Sequence, residues 1–346
     1  MKNIKNFIST LLITSFLSTS FLMANQKEPD LLTFDKTKNN EESFESSMPR
    51  NFRDLNNPED KININAIASA QFNEDELKAI KKKYPNQKIL IIDLRKESHA
   101  FINDKPISWR SQFNLDNKEK QYQQILSEEK QKVNDLKKKS QIIVSEIIKK
   151  DEKNGWFSEI SPIIVNVNKV ETESEIAKRN GFDYKRIAIR DHSYPNKKQL
   201  TEIVSLIEKT SPKTKIYVHC AAGRGRTTTF LTIFDIIKNG KDTTLEEIFK
   251  RQYKIGGSRL DKIDEDSKWR EDLAKERLET IKSFYEKYTE KSISKKSTNS
   301  VKNKELDSKN IQNESKKLEN TIEETTLKDV SNDDFLENSS PNKIKN

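Results

Sequence analysis

Val218-His219-Cys220-Ala221-Ala222-Gly223-Arg224-Gly225-Arg226-Thr227-Thr228 is the stretch that decides the fold. An apolar run, Lys215–Val218, leads into it. An amphipathic run, Arg226–Lys238, leaves it with Phe230, Ile233, Phe234 and Ile237 on one stripe, and Asn239-Gly240 is a fitting stop. Five residues separate Cys220 from Arg226, so a compact loop can seat the sulfur at its centre. The backbone of Ala221, Ala222, Gly223, Arg224 and Gly225 then forms an anion nest, backed by the positive end of the following helix. Gly223 and Gly225 supply the freedom such a cradle needs. Arg226 can grip two phosphate oxygens with its planar fork. The same field stabilises a thiolate, the reactive form of cysteine. The competing reading, a buried inert cysteine, is disfavoured by the context: Cys-x5-Arg-Thr between an apolar strand and an amphipathic helix rarely arises by chance.

Outward from the loop, strand and helix signals alternate. Lys88–Leu94 (KILIIDL) is nearly continuous in apolar residues, the mark of a strand covered on both faces. Pro162–Val167 and Arg186–Ile189 also read as strands. Asn196–Lys209 places Leu200, Ile203, Val204 and Ile207 on one helical stripe. The pattern predicts an α/β fold: a central, mostly parallel sheet flanked by helices, with the phosphate-binding loop between a strand and a helix. Residues 117–150 are charged with scattered Ile, Val and Leu, and predict a helical excursion over about 116–153.

Composition sets the frame. Of 346 residues, 32% are hydrophobic and 34% charged, so part of the chain is expected not to fold. Lys2 and Lys5 precede an uncharged stretch, Phe7–Met23, and Ala24 offers a cleavage point; residues 1–24 read as a signal peptide and the protein as exported, periplasmic or extracellular. A retained membrane anchor is the alternative. Residues 25–45 read as a polar linker, 46–290 as the domain, and 291–346 as a disordered tail with Phe335 its only aromatic residue. One cysteine excludes a disulfide framework and a multi-thiolate metal site, and three histidines leave little for zinc; no metal or cofactor is expected. The net charge of +9 favours an anionic partner. No nucleic-acid module and no membrane-binding amphipathic helix is recognisable, so neither nucleic acid nor a membrane is an expected partner.

The loop resembles the phosphate loop of cysteine-dependent phosphatases, the protein-tyrosine-phosphatase superfamily. Asp191-His192-Ser193-Tyr194-Pro195, 29 residues before the cysteine, resembles the general-acid loop of the tyrosine-phosphatase-like phytases, which remove phosphates from myo-inositol hexakisphosphate. Asp93-Leu94-Arg95-Lys96-Glu97-Ser98-His99, followed by Phe101-Ile102-Asn103 and Ser108-Trp109, is similar to a further segment of that family. So are Pro49-Arg50-Asn51-Phe52-Arg53, Ser69-Ala70-Gln71-Phe72 and Ile255-Gly256-Gly257, all in the family's order over about 46–290. Ala221 stands where members often carry Glu, and Ala100 where they carry Gly.

The resemblance implies a phytase acting through a phosphocysteine. Cys220 is then the nucleophile, Arg226 and the loop amides the oxyanion clamp, Asp191 the general acid, and Thr227 a hydrogen-bond donor to the departing sulfur. His219 is expected to order the loop by hydrogen bonding. His192 either meets a substrate phosphate or packs. Further phosphates call for more cations, and the candidates are Arg224, Arg50, Arg53, Lys268 and Lys275, the last two seven apart on one helix face. Asp93 either touches substrate hydroxyls or holds the strand end together. Two rivals remain: a secreted phosphotyrosine or dual-specificity phosphatase, and a pseudo-phosphatase that binds phosphorylated ligands without turnover.

Overall fold

The computed structural model describes residues 31–36, 47–56, 62–115, 117–151, 155–263 and 270–290. The chain divides into a unit ending at Glu286 and a second from Lys287, of which the described residues 287–290 are helical. The proposed signal peptide, most of the expected linker, Lys268 and the tail from 291 lie outside the described residues.

The first unit begins with β1 (Leu31–Phe34), β2 (Arg53–Asp54), β3 (Ala66–Ser69), α1 (Glu74–Lys83), β4 (Lys88–Arg95), β5 (His99–Ile102) and β6 (Lys105–Arg110). Next come α2 (Tyr122–Lys137), β7 (Gln141–Asp151), β8 (Trp156–Asn166), β9 (Val170–Glu171), α3 (Glu173–Arg179) and β10 (Asp183–Ile189). It continues with α4 (Lys197–Lys209), β11 (Thr214–His219), α5 (Gly225–Asn239), α6 (Leu245–Lys254) and a helical run over 270–286, α7. Four helices open on reciprocal capping boxes: Asn73 with Glu76, Thr172 with Glu175, Asn196 with Gln199, and Thr244 with Glu247.

The central sheet has the order β10-β4-β11-β3-β2, parallel except for the short β2. Strand β4 is buried without interruption from Ile91 to Arg95, as a strand covered on both faces requires. One face packs Ile92, Leu94, Ile189 and Val218 with Ile203 and Ile207 of α4 and Phe230 and Ile233 of α5. The other packs Ile67, Ile91 and Tyr217 with Leu77 and Ile80 of α1 and Ile176 of α3. Strand β11 is central, and its C-terminal end delivers the Cys220 loop to the sheet edge where parallel α/β proteins bind ligands. The predicted α/β class and mostly parallel central sheet are what the structure shows.

Two expectations are corrected. The stretch read as a linker contributes β1, which pairs antiparallel with β6 from Leu31↔Arg110 to Phe34↔Ile107. Its Leu-Leu-Thr-Phe pattern is short, and the following Asp35 is buried only because Arg95 and Arg110 neutralise it. The expected helical excursion is helical only as far as Lys137. Beyond it, β7 and β8 form a hairpin with Ile142↔Val165 and Val144↔Ile163 in register, since clustered β-branched residues favour strand. The predicted strand Pro162–Val167 therefore lies in β8, at the edge of a second, six-stranded sheet ordered β8-β7-β1-β6-β5-β9. Val133 and Leu136 of α2 pack with Ile107, Ile142 and Val144 of this sheet. Among the described residues, no helix is long and apolar enough to cross a membrane.

Candidate active site

The loop from Cys220 to Gly225 is held by its carbonyls. Ala221 O accepts from the Gln71 amide at 3.3 Å, Ala222 O from Asn51 Nδ2 at 2.8 Å, and Gly223 O from Arg53 Nη1 at 2.8 Å. A trans peptide points its N–H opposite to its C=O. Turning three successive carbonyls onto this framework therefore aims the N–H groups of Ala222, Gly223 and Arg224 the other way, the arrangement of an anion nest. No side chain caps α5, so its first N–H groups add to the same field. Cys220 is 3% exposed, and Thr227 Oγ1 lies 3.1 Å from its sulfur.

Gly223 is irreplaceable on steric grounds. Its φ is +67°, and an added Cβ would lie 2.4 Å from Ser69 C and Ala70 N, backbone atoms at the end of β3. At Gly225 the nearest atom is the flexible end of Arg277, at 3.4 Å. Gly223→Ala is expected to destabilise the protein by about 2–4 kcal/mol and to abolish phosphate binding, with Gly225→Ala much milder. Thermal unfolding of the two variants checks this; equal losses would contradict the packing described.

Arg226 is buried and clamped. Its Nη1 and Nη2 donate to the two carboxylate oxygens of Glu97 at 2.7 and 2.9 Å, and Nη1 also to Ile189 O at 3.1 Å. Its Nε is buried with no hydrogen-bond partner. Glu97 further accepts from Arg95 Nε at 2.9 Å, and Arg95 reaches Asp35, Gln71 and Ser108. Burial opposes ionisation of Glu97, but the two guanidinium groups, Arg226 foremost, hold its carboxyl well below the usual range.

Asp191 sits 3.0 Å from Arg226 Nη2, with Asn114 Nδ2 2.8 Å from its Oδ2 and the His192 amide 2.9 Å from its Oδ1. Burial would raise its pKa, but Arg226 and then His192 outweigh it, so the shift is downward. His192 adopts φ 57°, and burial lowers its own pKa.

Behind the loop, His219 is fully buried and its Nε2 is 2.6 Å from Glu173 Oε1. His99 Nε2 lies 3.1 Å from Glu173 and 3.3 Å from Asp93. Burial works against a charged His99, yet the facing Asp93 keeps its pKa up at about 10. Asp93, Glu173 and His219 bring donor atoms together, but Arg186 Nε at 3.1 Å, Tyr184 Oη at 2.9 Å and His99 already engage the carboxylates. We read the set as an ion-pair network that braces the loop.

A cavity of about 1280 Å³ opens over Cys220 and Arg226 and is lined also by Ala221, Ala222, Arg224, Gly225, Asp191 and His192. Its wall carries ten cationic residues, Lys36, Arg50, Arg110, Lys150, Arg224, Arg226, Arg259, Lys262, Arg270 and Arg277, against four acidic ones. Such a surplus concentrates anions. Three expected phosphate contacts are elsewhere. Arg53 is buried beneath the loop, with burial and then Arg224 lowering its pKa to about 10 against the opposing influence of Cys220. Asp93 is fully buried at the end of β4, engaged by Arg186 and Tyr184. Lys275 faces solvent beside Glu271, and Lys268 is not described. Helix α7 instead presents Arg270 and Arg277, in phase with buried Ala274 and Ile281. Their seven-residue spacing could have been read; their helical phase could not. Glu97 lies within the Asp93–His99 motif, and nothing local marks it as the partner of Arg226.

A parallel sheet whose central strand ends in a Cys-x5-Arg loop, with the helix N-terminus behind it, defines a tyrosine-phosphatase-like α/β protein. The family model described as PTP-like phytase, inositol hexakisphosphate, matches residues 92–238. The structure is similar to that of the PTP-like myo-inositol phosphatase from Mitsuokella multacida in complex with myo-inositol-(1,3,4,5)-tetrakisphosphate: 29% identity, TM-score 0.67, covering 77% of this chain and 46% of that one. It is also similar to a PTP-like phytase from Bdellovibrio bacteriovorus: 25% identity, TM-score 0.57, covering 77% and 92%. Among curated proteins, the effector protein hopD2 of Pseudomonas syringae pv. tomato is 28% identical over 184 residues, 52% of this chain and 38% of that protein. The uncharacterized protein AvrBs1.1 of Xanthomonas campestris pv. campestris is 38% identical over 74 residues, 21% of this chain and 71% of that protein. Over residues 92–238 the chain matches the protein-tyrosine-phosphatase-like phytases, a family of phosphatases. It spans less than half the length of hopD2 and of the tetrakisphosphate-bound Mitsuokella chain.

Proposed function

We propose that this protein hydrolyses phosphate monoesters of myo-inositol polyphosphates, phytate among them, through a phosphocysteine intermediate. The observation that carries the reading is the state of Arg226. Glu97 saturates the far end of its guanidinium, while Nε, a donor on the edge it shares with Nη2, is buried and without a hydrogen-bond partner at the nucleophile loop. A phosphate oxygen supplies the missing acceptor.

In this reading the Cys220 thiolate attacks phosphorus in line, forming the S–P bond as the P–O bond to inositol breaks. Loop amides and Arg226 hold the equatorial oxygens as charge moves to the leaving group. Asp191 gives its proton to the departing inositol oxygen, then takes one from the water that attacks the phosphocysteine. The S–P bond breaks, and Thr227, 3.1 Å away, steadies the returning thiolate. Phosphate binding favours the acid form of Asp191: the dianion draws on Arg226, the neighbour that lowers this carboxyl most, and adds negative charge beside it.

The cationic wall favours a substrate with several phosphates, because ten cationic residues line the cavity against four acidic ones, a surplus spread well beyond the reach of one phosphate. The tetrakisphosphate complex of the Mitsuokella relative supports the same substrate class. Phosphate release from phytate and from phosphotyrosine peptides at equal concentration tests it, with phytate expected to be favoured by at least tenfold in kcat/KM. Preference for the peptides would overturn the substrate assignment, and binding without release on either would indicate a pseudo-phosphatase.

A further inference from the structure

Asp191 carries its hydrogen bonds asymmetrically. Oδ1 takes the His192 amide at 2.9 Å and the Arg226 guanidinium at 3.0 Å. Oδ2 accepts from the side-chain amide of Asn114, 2.8 Å away, with His192 Nε2 at 3.9 Å. A proton avoids an oxygen already facing a guanidinium, so the acid form of Asp191 carries its hydrogen on Oδ2. The Asn114 amide therefore bonds the oxygen that reacts. Its rigid seat is unusual too. Phe113 and Asn114 both have left-handed backbone, φ 52° and 60°. The Phe113 amide donates to Gly155 O at 2.9 Å, and its ring occupies the space a Cβ on Gly155 would fill. Asn is among the few residues that adopt this backbone at low cost. The turn thus holds the amide against the carboxylate.

We propose that Asn114 is the positioning residue for Asp191: its Nδ2 donates to one lone pair of Oδ2 in both forms, and so sets the direction in which the hydrogen of the acid form points at the leaving oxygen. The proposal rests on the reading of Asp191 as general acid. In that cycle the carboxyl must lose a proton and regain one, and a partner able to serve both forms keeps it aimed at the leaving oxygen throughout.

The test measures kcat and KM on phytate and on p-nitrophenyl phosphate for wild type, Asn114→Gly, Asp191→Asn and the double variant. Glycine keeps the left-handed backbone and removes only the amide. Asn114→Gly is expected to lower kcat on phytate roughly 10- to 100-fold, to cost the aryl phosphate, whose leaving group needs no acid, no more than about threefold, and to add nothing to Asp191→Asn. Equal losses on both substrates, or an undiminished loss in the Asp191→Asn background, would reduce Asn114 to a structural residue and leave the Asp191 reading intact. Should Asp191→Asn itself show no dependence on the leaving group, both assignments fall. If Asn114→Gly melts well below wild type, all four proteins are compared at a temperature where each stays folded, with the same criteria.

Discussion

Replacing Cys220 with serine is expected to lower phosphate release from phytate by at least a thousandfold while oxyanion affinity stays within a few-fold of wild type. The physical reason is a separation of tasks. Binding belongs to backbone N–H groups and to Arg226, which the substitution leaves in place. In the proposed mechanism chemistry belongs to the Cys220 sulfur, and a serine hydroxyl is a much weaker nucleophile in its place. Initial rates with phytate, paired with calorimetric titration of an inositol polyphosphate, separate the two effects. Residual activity above about a thousandth of wild type would rule out the covalent route, and loss of both binding and turnover would show that the loop had collapsed.

The second large effect is expected at Glu97, a residue that touches no substrate. Glu97→Gln leaves Arg226 and Arg95 facing a neutral amide in place of the carboxylate that both now share. Breaking a buried pair in this way costs about 3–5 kcal/mol, or roughly 6–20 °C in melting temperature for a domain of this size. Turnover should fall about a hundredfold as well, because a guanidinium displaced by an ångström no longer matches the phosphate. The pH dependence carries a sign. The folded-state pKa of Glu97 is depressed, so its contribution is present above the unfolded value near 4 and is lost as pH falls through the folded value. The variant should therefore show a flatter acid limb of stability than wild type. A thermal series from pH 7 to pH 3 measures this, and parallel limbs would mean that Glu97 is not held ionised by these arginines.

The contrast between Cys220 and Glu97 shows what could be read in advance. The loop is one continuous stretch, so its nucleophile, cradle, clamp and following helix are all visible in Val218–Thr228. Strands β4, β10 and β11 announce themselves as apolar runs because both faces are covered. Residues 141–151 read as helix because charge along α2 runs on into the hairpin, and the pairing that makes them strand comes from β8, up to 25 residues away. Helix α7 gives the sharpest case. Lys268 with Lys275 and Arg270 with Arg277 have the same spacing, and only the burial of Ala274 and Ile281 decides which pair faces the cavity.

The amino-acid sequence alone determined the class of chemistry, since a thiolate cradle is local: it needs a cysteine, an arginine, two glycines and a helix start at fixed offsets along one strand–loop–helix unit. The partners of those groups were decided only by folding. Glu97 comes from the segment after β4, Arg53 and Asn51 from β2 and the residues before it, Glu173 from α3 and Asn114 from the turn after β6; they meet the loop, His219 or Asp191 across 46 to 171 residues of chain. Ion pairs and hydrogen bonds between such distant positions depend on sheet order and helix phase, which packing sets and which no local pattern encodes.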